Sequence, residues 1–164
     1  MPKLIKDGAI ANDEWVLIES AEVEGALPSG NLIVPLALWA AQQEQLLARD
    51  EEVGVWLQSD ESPDKIGDRL RELALVAINF PAFTDGRGFS YAQLLRSRLN
   101  FTGELRAIGD VGKDQMFFMQ RCGFDSYLIA DDKDTDQAIA ALSSFTDTYQ
   151  SAQDQPVPAF RRNA

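Results

Sequence analysis

From Leu32 onward the chain alternates short apolar runs with helical patterns, and that rhythm constrains the fold more than any other feature of its 164 residues. The apolar runs are Leu32–Leu36, Val53–Leu57, Leu75–Phe80, Leu105–Ile108 and Tyr127–Ile129. The helical patterns reach to Arg49, then run from Pro63 to about Leu73, Tyr91 to Asn100, Lys113 to Cys122 and Asp136 to about Tyr149. Short, nearly continuous apolar strands alternating with helices belong to parallel sheets whose faces are covered by helices. Five βα units in a row therefore predict an α/β fold with a mainly parallel sheet flanked by helices. Such units can build an open, doubly wound sheet or a partial, unclosed barrel-like sheet too short to close alone. The open sheet is the expectation and the partial barrel the alternative.

Ahead of these units, Leu4 through Ile10 and Glu14 through Ile18 read as the two strands of an N-terminal β-hairpin separated by Asn12-Asp13. Glu22 to Asn31, with Gly25, Pro28 and Gly30, is a connecting loop rather than a domain boundary. The expected organisation is one α/β domain over 1–150, hairpin included, and a flexible tail over 151–164 that contains Pro156 and Pro158. Local punctuation fits: Ser62 precedes Pro63 at a helix start, Ser90 and Gln93 form a capping box, and Gly123 stands where a helix needs a left-handed residue to end.

Composition closes off several functions. The chain has no histidine and a single cysteine, Cys122, which removes the commonest general base and any cluster needing several thiolates. A net charge of −11 opposes nucleic acid and anionic membrane as partners. The longest apolar runs are too short to span a bilayer, and the N-terminus lacks the pattern of a signal peptide, so a cytoplasmic location is expected. The charge is uneven. Between Asp85 and Arg121 six basic residues face four acidic ones, a net of +2, leaving −13 for the rest.

Candidate functional residues concentrate in that stretch. Three apolar runs end at an aspartate, Asp85, Asp110 and Asp131, where parallel sheets place their ligands. Asp85 and Asp110 are candidates for acid/base work or Mg²⁺ ligation, against the plainer role of turn and cap residues. Asp131 belongs to an acidic run with Asp132 and Asp134. Gly86-Arg87-Gly88 leads through Ser90 to a helix start, an arrangement that offers amides and a guanidinium to a small anion. It lacks the third glycine of a dinucleotide fingerprint and a Walker lysine, so no nucleotide cofactor is implied.

Tyr91, Leu94, Leu95 and Leu99 define an apolar stripe at 100° per residue, with Arg98 near its centre and Arg96 well off it. Arg98 is thus expected to face inward, against a carboxylate or a bound anion. Glu104, Arg106 and Ile108 alternate onto one face of their strand, where a helix would cover them. Glu104 pairing with Arg98 or Arg106 as a structural ion pair is one reading, an anion-binding arginine pair the other. Cys122 and the run Met116 to Met119 read as core.

This block resembles an uncharacterised bacterial family, a domain of unknown function labelled an oxidoreductase of sulfite reduction because its genes accompany assimilatory sulfite reductase. The resemblance is carried by Phe80-Pro81-Ala82-Phe83-Thr84-Asp85-Gly86-Arg87-Gly88-Phe89-Ser90, Arg98, Gly103-Glu104-Leu105-Arg106-Ala107, Gly109-Asp110-Val111 and Arg121-Cys122-Gly123-Phe124-Asp125. Two positions depart from the family pattern: Asn100 replaces a glycine, and Gly112 a larger apolar residue. The resemblance implies a role in sulfur assimilation. The expected function is an accessory protein whose arginine-rich block binds a small sulfur oxyanion or docks sulfite reductase or another sulfur-assimilation enzyme. The alternative is an enzyme, an oxidoreductase or Mg-dependent, acting on an anionic sulfur or phosphate substrate. In that case Asp85 and Asp110 do the chemistry and Arg87, Arg98 and Arg106 clamp the substrate.

Overall fold

Among the described residues, eight strands form one sheet in the order β2-β1-β8-β7-β6-β5-β4-β3. They are β1 (Lys3–Lys6), β2 (Ala9–Ala11), β3 (Trp15–Leu17), β4 (Asn31–Pro35), β5 (Val53–Leu57), β6 (Leu75–Phe80), β7 (Glu104–Gly109) and β8 (Ser126–Ile129). The described residues also form the helices α1 (Leu36–Leu47), α2 (Arg87–Gln93) and α3 (Lys113–Cys122). The computed structural model describes residues 3–22, 25–81, 86–129 and 139–140. The helix expected over 136–149 and the tail over 151–164 fall outside these, apart from Ile139 and Ala140.

Strands β3 to β8 are parallel and adjacent in chain order. A doubly wound sheet must reverse its strand order partway and place helices on both faces. Here every crossover advances the same way, so the helices lie on one face and the partial-barrel alternative is the correct one. The larger core joins that face, through Val34, Val55, Val76, Ile78 and Leu105, to Trp39, Leu95, Met116 and Met119. The opposite face carries its own apolar cluster, Ile33, Trp56, Leu75, Ala77 and Ile108, with Trp15 and Leu128 against it. Among the described residues no helix residue belongs to that cluster; the sheet's own curvature encloses it.

The N-terminus forces the curl. The hairpin exists, but it is β1 with β2, closed by Asp7 and Gly8 at φ 53° and 82°, a pairing that suits a two-residue turn. The expected second strand, Glu14–Ile18, instead supplies β3 at the far edge of the sheet. Laid flat, the seven spacings of eight strands would separate the edges by about 34 Å. Only Asn12, Asp13 and Glu14 join β2 to β3, a reach of about 14 Å at most. The sheet therefore curls into an open half-barrel, with this link crossing its concave side.

Beyond a kink in α1 at Gln42, where φ is −133°, two helical segments deviate from regular geometry. The helix expected from Pro63 to Leu73 is two 3-10 turns, Pro63–Ile66 and Leu70–Glu72, because Gly67 at φ 92° breaks it. The Trp39 indole Nε1 donates to the Ile66 carbonyl at 3.0 Å and holds the first turn in place. Helix α2 starts at Arg87 with Gly86 as its N-terminal cap, so Ser90 lies inside the helix and is not its cap. After Gln93 the backbone widens into a π-helical turn, Leu94–Arg98.

Candidate functional site

The carboxyl ends of β5, β6 and β7 bring polar residues together. Gln58 and Ser59 follow β5, Asn79 lies on β6, Asp110 follows β7, and Arg87 and Tyr91 stand on α2. The exposed Arg87 donates from Nη2 to Ser59 Oγ at 2.9 Å, and the Tyr91 hydroxyl donates to the Ser59 carbonyl at 2.8 Å. Asn79 Nδ2 donates to Gln58 Oε1 at 3.1 Å. The Asp110 amide donates to the Phe80 carbonyl at 2.7 Å, which seats the β7–α3 turn against the end of β6. Gly88 is buried, and a Cβ there would lie 2.5 Å from the Phe80 ring. That glycine lets α2 lie directly on β6, and Arg87 reaches the sheet edge as a result. Ser90 is exposed on α2. Asp85 and Asp131 lie outside the described residues.

Arg106 belongs to a different place. With Glu104 it faces the concave interior, opposite the face the helices cover, and it is only 2% exposed. Its Nη1 reaches Asp13 Oδ1 at 3.0 Å, and its Nη2 and Nε reach Glu104 Oε2 at 2.8 and 3.1 Å. Lys6 Nζ lies 2.8 Å from the other oxygen of Glu104, and Ser126 Oγ donates to Oε2 at 2.8 Å. Burial pushes the Glu104 carboxyl upward, but hydrogen bonds from Lys6, Arg106 and Ser126 outweigh it and hold the group below the ordinary glutamate value. A guanidinium flanked by two carboxylates is already compensated and needs no external anion. Of the expected structural ion pairs, Glu104 with Arg106 is the one present.

Arg98 is exposed, against expectation, and Arg96 is the inward residue. The Arg96 side chain is 15% exposed. It donates from Nε to the Gly123 carbonyl at 3.0 Å and from Nη1 to the Phe101 and Gly103 carbonyls at 2.9 and 2.8 Å. Asp125 Oδ2 is 3.6 Å from its Nη2, and the Phe101 ring lies beneath it. The phase shifted for two reasons. Buried Ala92, too small to register as part of a stripe, sits at the centre of the true inner face, and the π-helical turn widens the spacing beyond it. Gly123, at φ 118°, ends α3 as expected and also admits the Arg96 stem, since a Cβ would lie 2.5 Å from its Cγ. Asn100 adopts φ 55°, a left-handed conformation that asparagine, among the few residues besides glycine, tolerates.

The +2 stretch is thus not a single cationic surface. Arg87 stands at the carboxyl edge, Arg98 at the end of the π-helical turn toward the amino edge, and Arg96 and Arg106 bind protein groups. Ser59, Gln58, Asn79, Lys6 and Asp13 were not singled out from the sequence. Gln58-Ser59 carried the same signal as the aspartates, a polar residue directly after a buried strand. Cys122 is buried, and burial raises its thiol pKa, which suits the core role expected of it. Among the described residues no three acidic, histidine or cysteine side chains group to hold a metal, and no helix is long and apolar enough to cross a membrane.

No curated protein and no solved structure matches the chain. The family described as "Bacterial protein of unknown function (DUF934)" matches residues 54–160, from β5 through the carboxyl-edge site and beyond β8. Because that match covers well over half of the sequence, the chain belongs to this bacterial family of unknown function.

Proposed function

We propose that the chain is an accessory protein of assimilatory sulfite reduction that holds a small sulfur oxyanion, of the sulfite or sulfate type, at the carboxyl edge of its half-barrel. The supporting observation is the placement of Arg87: exposed, steadied by Ser59, and set where parallel sheets take their ligands. The sulfur assignment rests on the family resemblance and the anion assignment on Arg87. Arg98 and Arg106 do not share this site, so a three-arginine clamp is not part of the proposal. Asp110 stands at the same edge and is the residue through which the enzyme alternative would act.

Calorimetric titration with sulfite, sulfate and adenosine phosphosulfate tests the reading. One charge-assisted contact contributes about 1.5–3 kcal/mol, so Arg87→Ala should weaken binding by roughly 10- to 100-fold. Arg98→Ala should leave it unchanged. Absence of binding by all three anions, or equal binding by the Arg87 variant, refutes it. A pull-down of sulfite reductase that succeeds without anion binding would move the assignment to partner docking.

A further inference from the structure

At the amino ends of β6 and β7, the opposite edge from Arg87, a cavity of about 460 Å³ opens between the second 3-10 turn and the α2–β7 connection. Both irregular segments create it. Gly67 divides the expected helix into short turns that leave these strand ends uncovered, and the π-helical turn delivers the chain through left-handed Asn100 to the cavity's far side. Buried Leu70, Leu73 and Phe101, with half-buried Leu99, give the cavity an apolar side within a lining that is otherwise polar.

The rim carries one charge of each sign. Asp68 and Arg71 both line the cavity and are exposed, three residues apart. Their neighbours Arg69 and Glu72 are paired at 2.6 Å, whereas Asp68 and Arg71 form no ion pair among the described residues. The far wall is rigid, because Arg96 ties the Phe101 and Gly103 carbonyls together from behind. A volume in the range of small-molecule sites, with apolar side chains beside charged and backbone polar groups, suits a binding pocket.

We infer that this cavity binds a small zwitterion with an apolar body, in its simplest form an α-amino acid with an apolar side chain. The carboxylate goes to Arg71, the ammonium to Asp68, and the side chain to the leucines and Phe101. Neither charge alone explains the rim: an anion would be repelled by Asp68 and a cation by Arg71. The inference is independent of the carboxyl-edge anion site.

Amide chemical-shift titrations of the full chain with L-leucine, L-methionine and L-phenylalanine test it. At least one should shift Gly67, Thr102 and Gly103 saturably below about 10 mM, the range of weak specific binding. N-acetyl-leucine and leucinamide, each lacking one charge, should bind about tenfold or more weakly, because each leaves a charged rim residue unmatched. Arg71→Glu should abolish the shifts and Arg87→Ala preserve them. No saturable shift with any of the three, or equal affinity for the charge-deleted derivatives, or indifference to Arg71→Glu, overturns the inference. Both variants change exposed side chains, and an unaltered spectrum away from the cavity confirms that each remains folded.

Discussion

Replacing Arg96 by alanine should destabilise the fold far more than replacing Arg98, two residues along. Arg96 makes three hydrogen bonds to carbonyls on two separate connections, α2–β7 and α3–β8. Hydrogen bonds from charged groups contribute about 1.5–3 kcal/mol when well buried, but the 15% exposure lets water reach some of the orphaned carbonyls. Taking about 1 kcal/mol net for each, adding roughly 0.5–1 for the contact over Phe101 and subtracting some of the roughly 2 kcal/mol of arginine rotamer entropy released gives a loss of about 2–4 kcal/mol. For a domain of this size each kcal/mol shifts the midpoint by about 2–4 °C, so Arg96→Ala should lower Tm by roughly 4–16 °C. Arg98→Ala, at an exposed position, should stay within about 0.5 kcal/mol. Arg96→Lys should recover only part of the loss, since one ammonium cannot span carbonyls held by both Nε and Nη1. Thermal unfolding followed by circular dichroism, with urea titrations for the free energies, measures all three. Equal small shifts, or a larger loss at Arg98, would show that the strut does not exist and that the cavity wall it supports is not fixed.

Acid stability should depend on Glu104. Its folded pKa lies below the unfolded value, so its contribution is complete above about pH 4.3 and is lost as pH falls through the folded value. Urea unfolding from pH 6 down to 3 should therefore show a shallower decline for Glu104→Gln than for the unaltered chain, and parallel curves would contradict this. Gly88→Ala places a methyl 2.5 Å from the Phe80 ring, and such overpacking costs about 1–3 kcal/mol. Because α2 must lift to accommodate it, the variant should lose anion binding at Arg87 along with stability. Retention of both would mean that α2 does not need its close seat on β6.

Much of the fold is legible from alternation alone: β5 and β6 fall on the residues whose apolar runs announce them, because strands buried on both faces leave an uninterrupted signal. What alternation cannot express is adjacency. A run such as Val53–Leu57 reads the same whether its neighbours lie in chain order or reversed, and that order separates a half-barrel from a doubly wound sheet. The hairpin was misplaced because Asn12-Asp13 resembles a turn as much as Asp7-Gly8 does, and only Asp7-Gly8 has both residues at positive φ. Helical phase failed at Arg96 and Arg98 because a 100° step presumes an α-helix, and one π-helical turn invalidates it. The interior network was half legible. Glu104 and Arg106 share a strand and pair across two residues, whereas Asp13 meets Arg106 from 93 positions away.

The pairing of β1 with β8 has a consequence for assembly. Lys3–Lys6 and its hydrogen-bonding partner, Ser126–Ile129, are separated by more of the sequence than any other paired strands among the described residues. Until β8 pairs with both, the outer side of β1 and that of β7 stay unsatisfied, each a template for association with other chains. The six parallel strands can accumulate one after another, but the hairpin joins only through contacts of long sequence separation, which slow folding. Closing the half-barrel at β1 and β8 is therefore the step most exposed to delay, because it joins two segments from opposite ends of the described sheet's sequence.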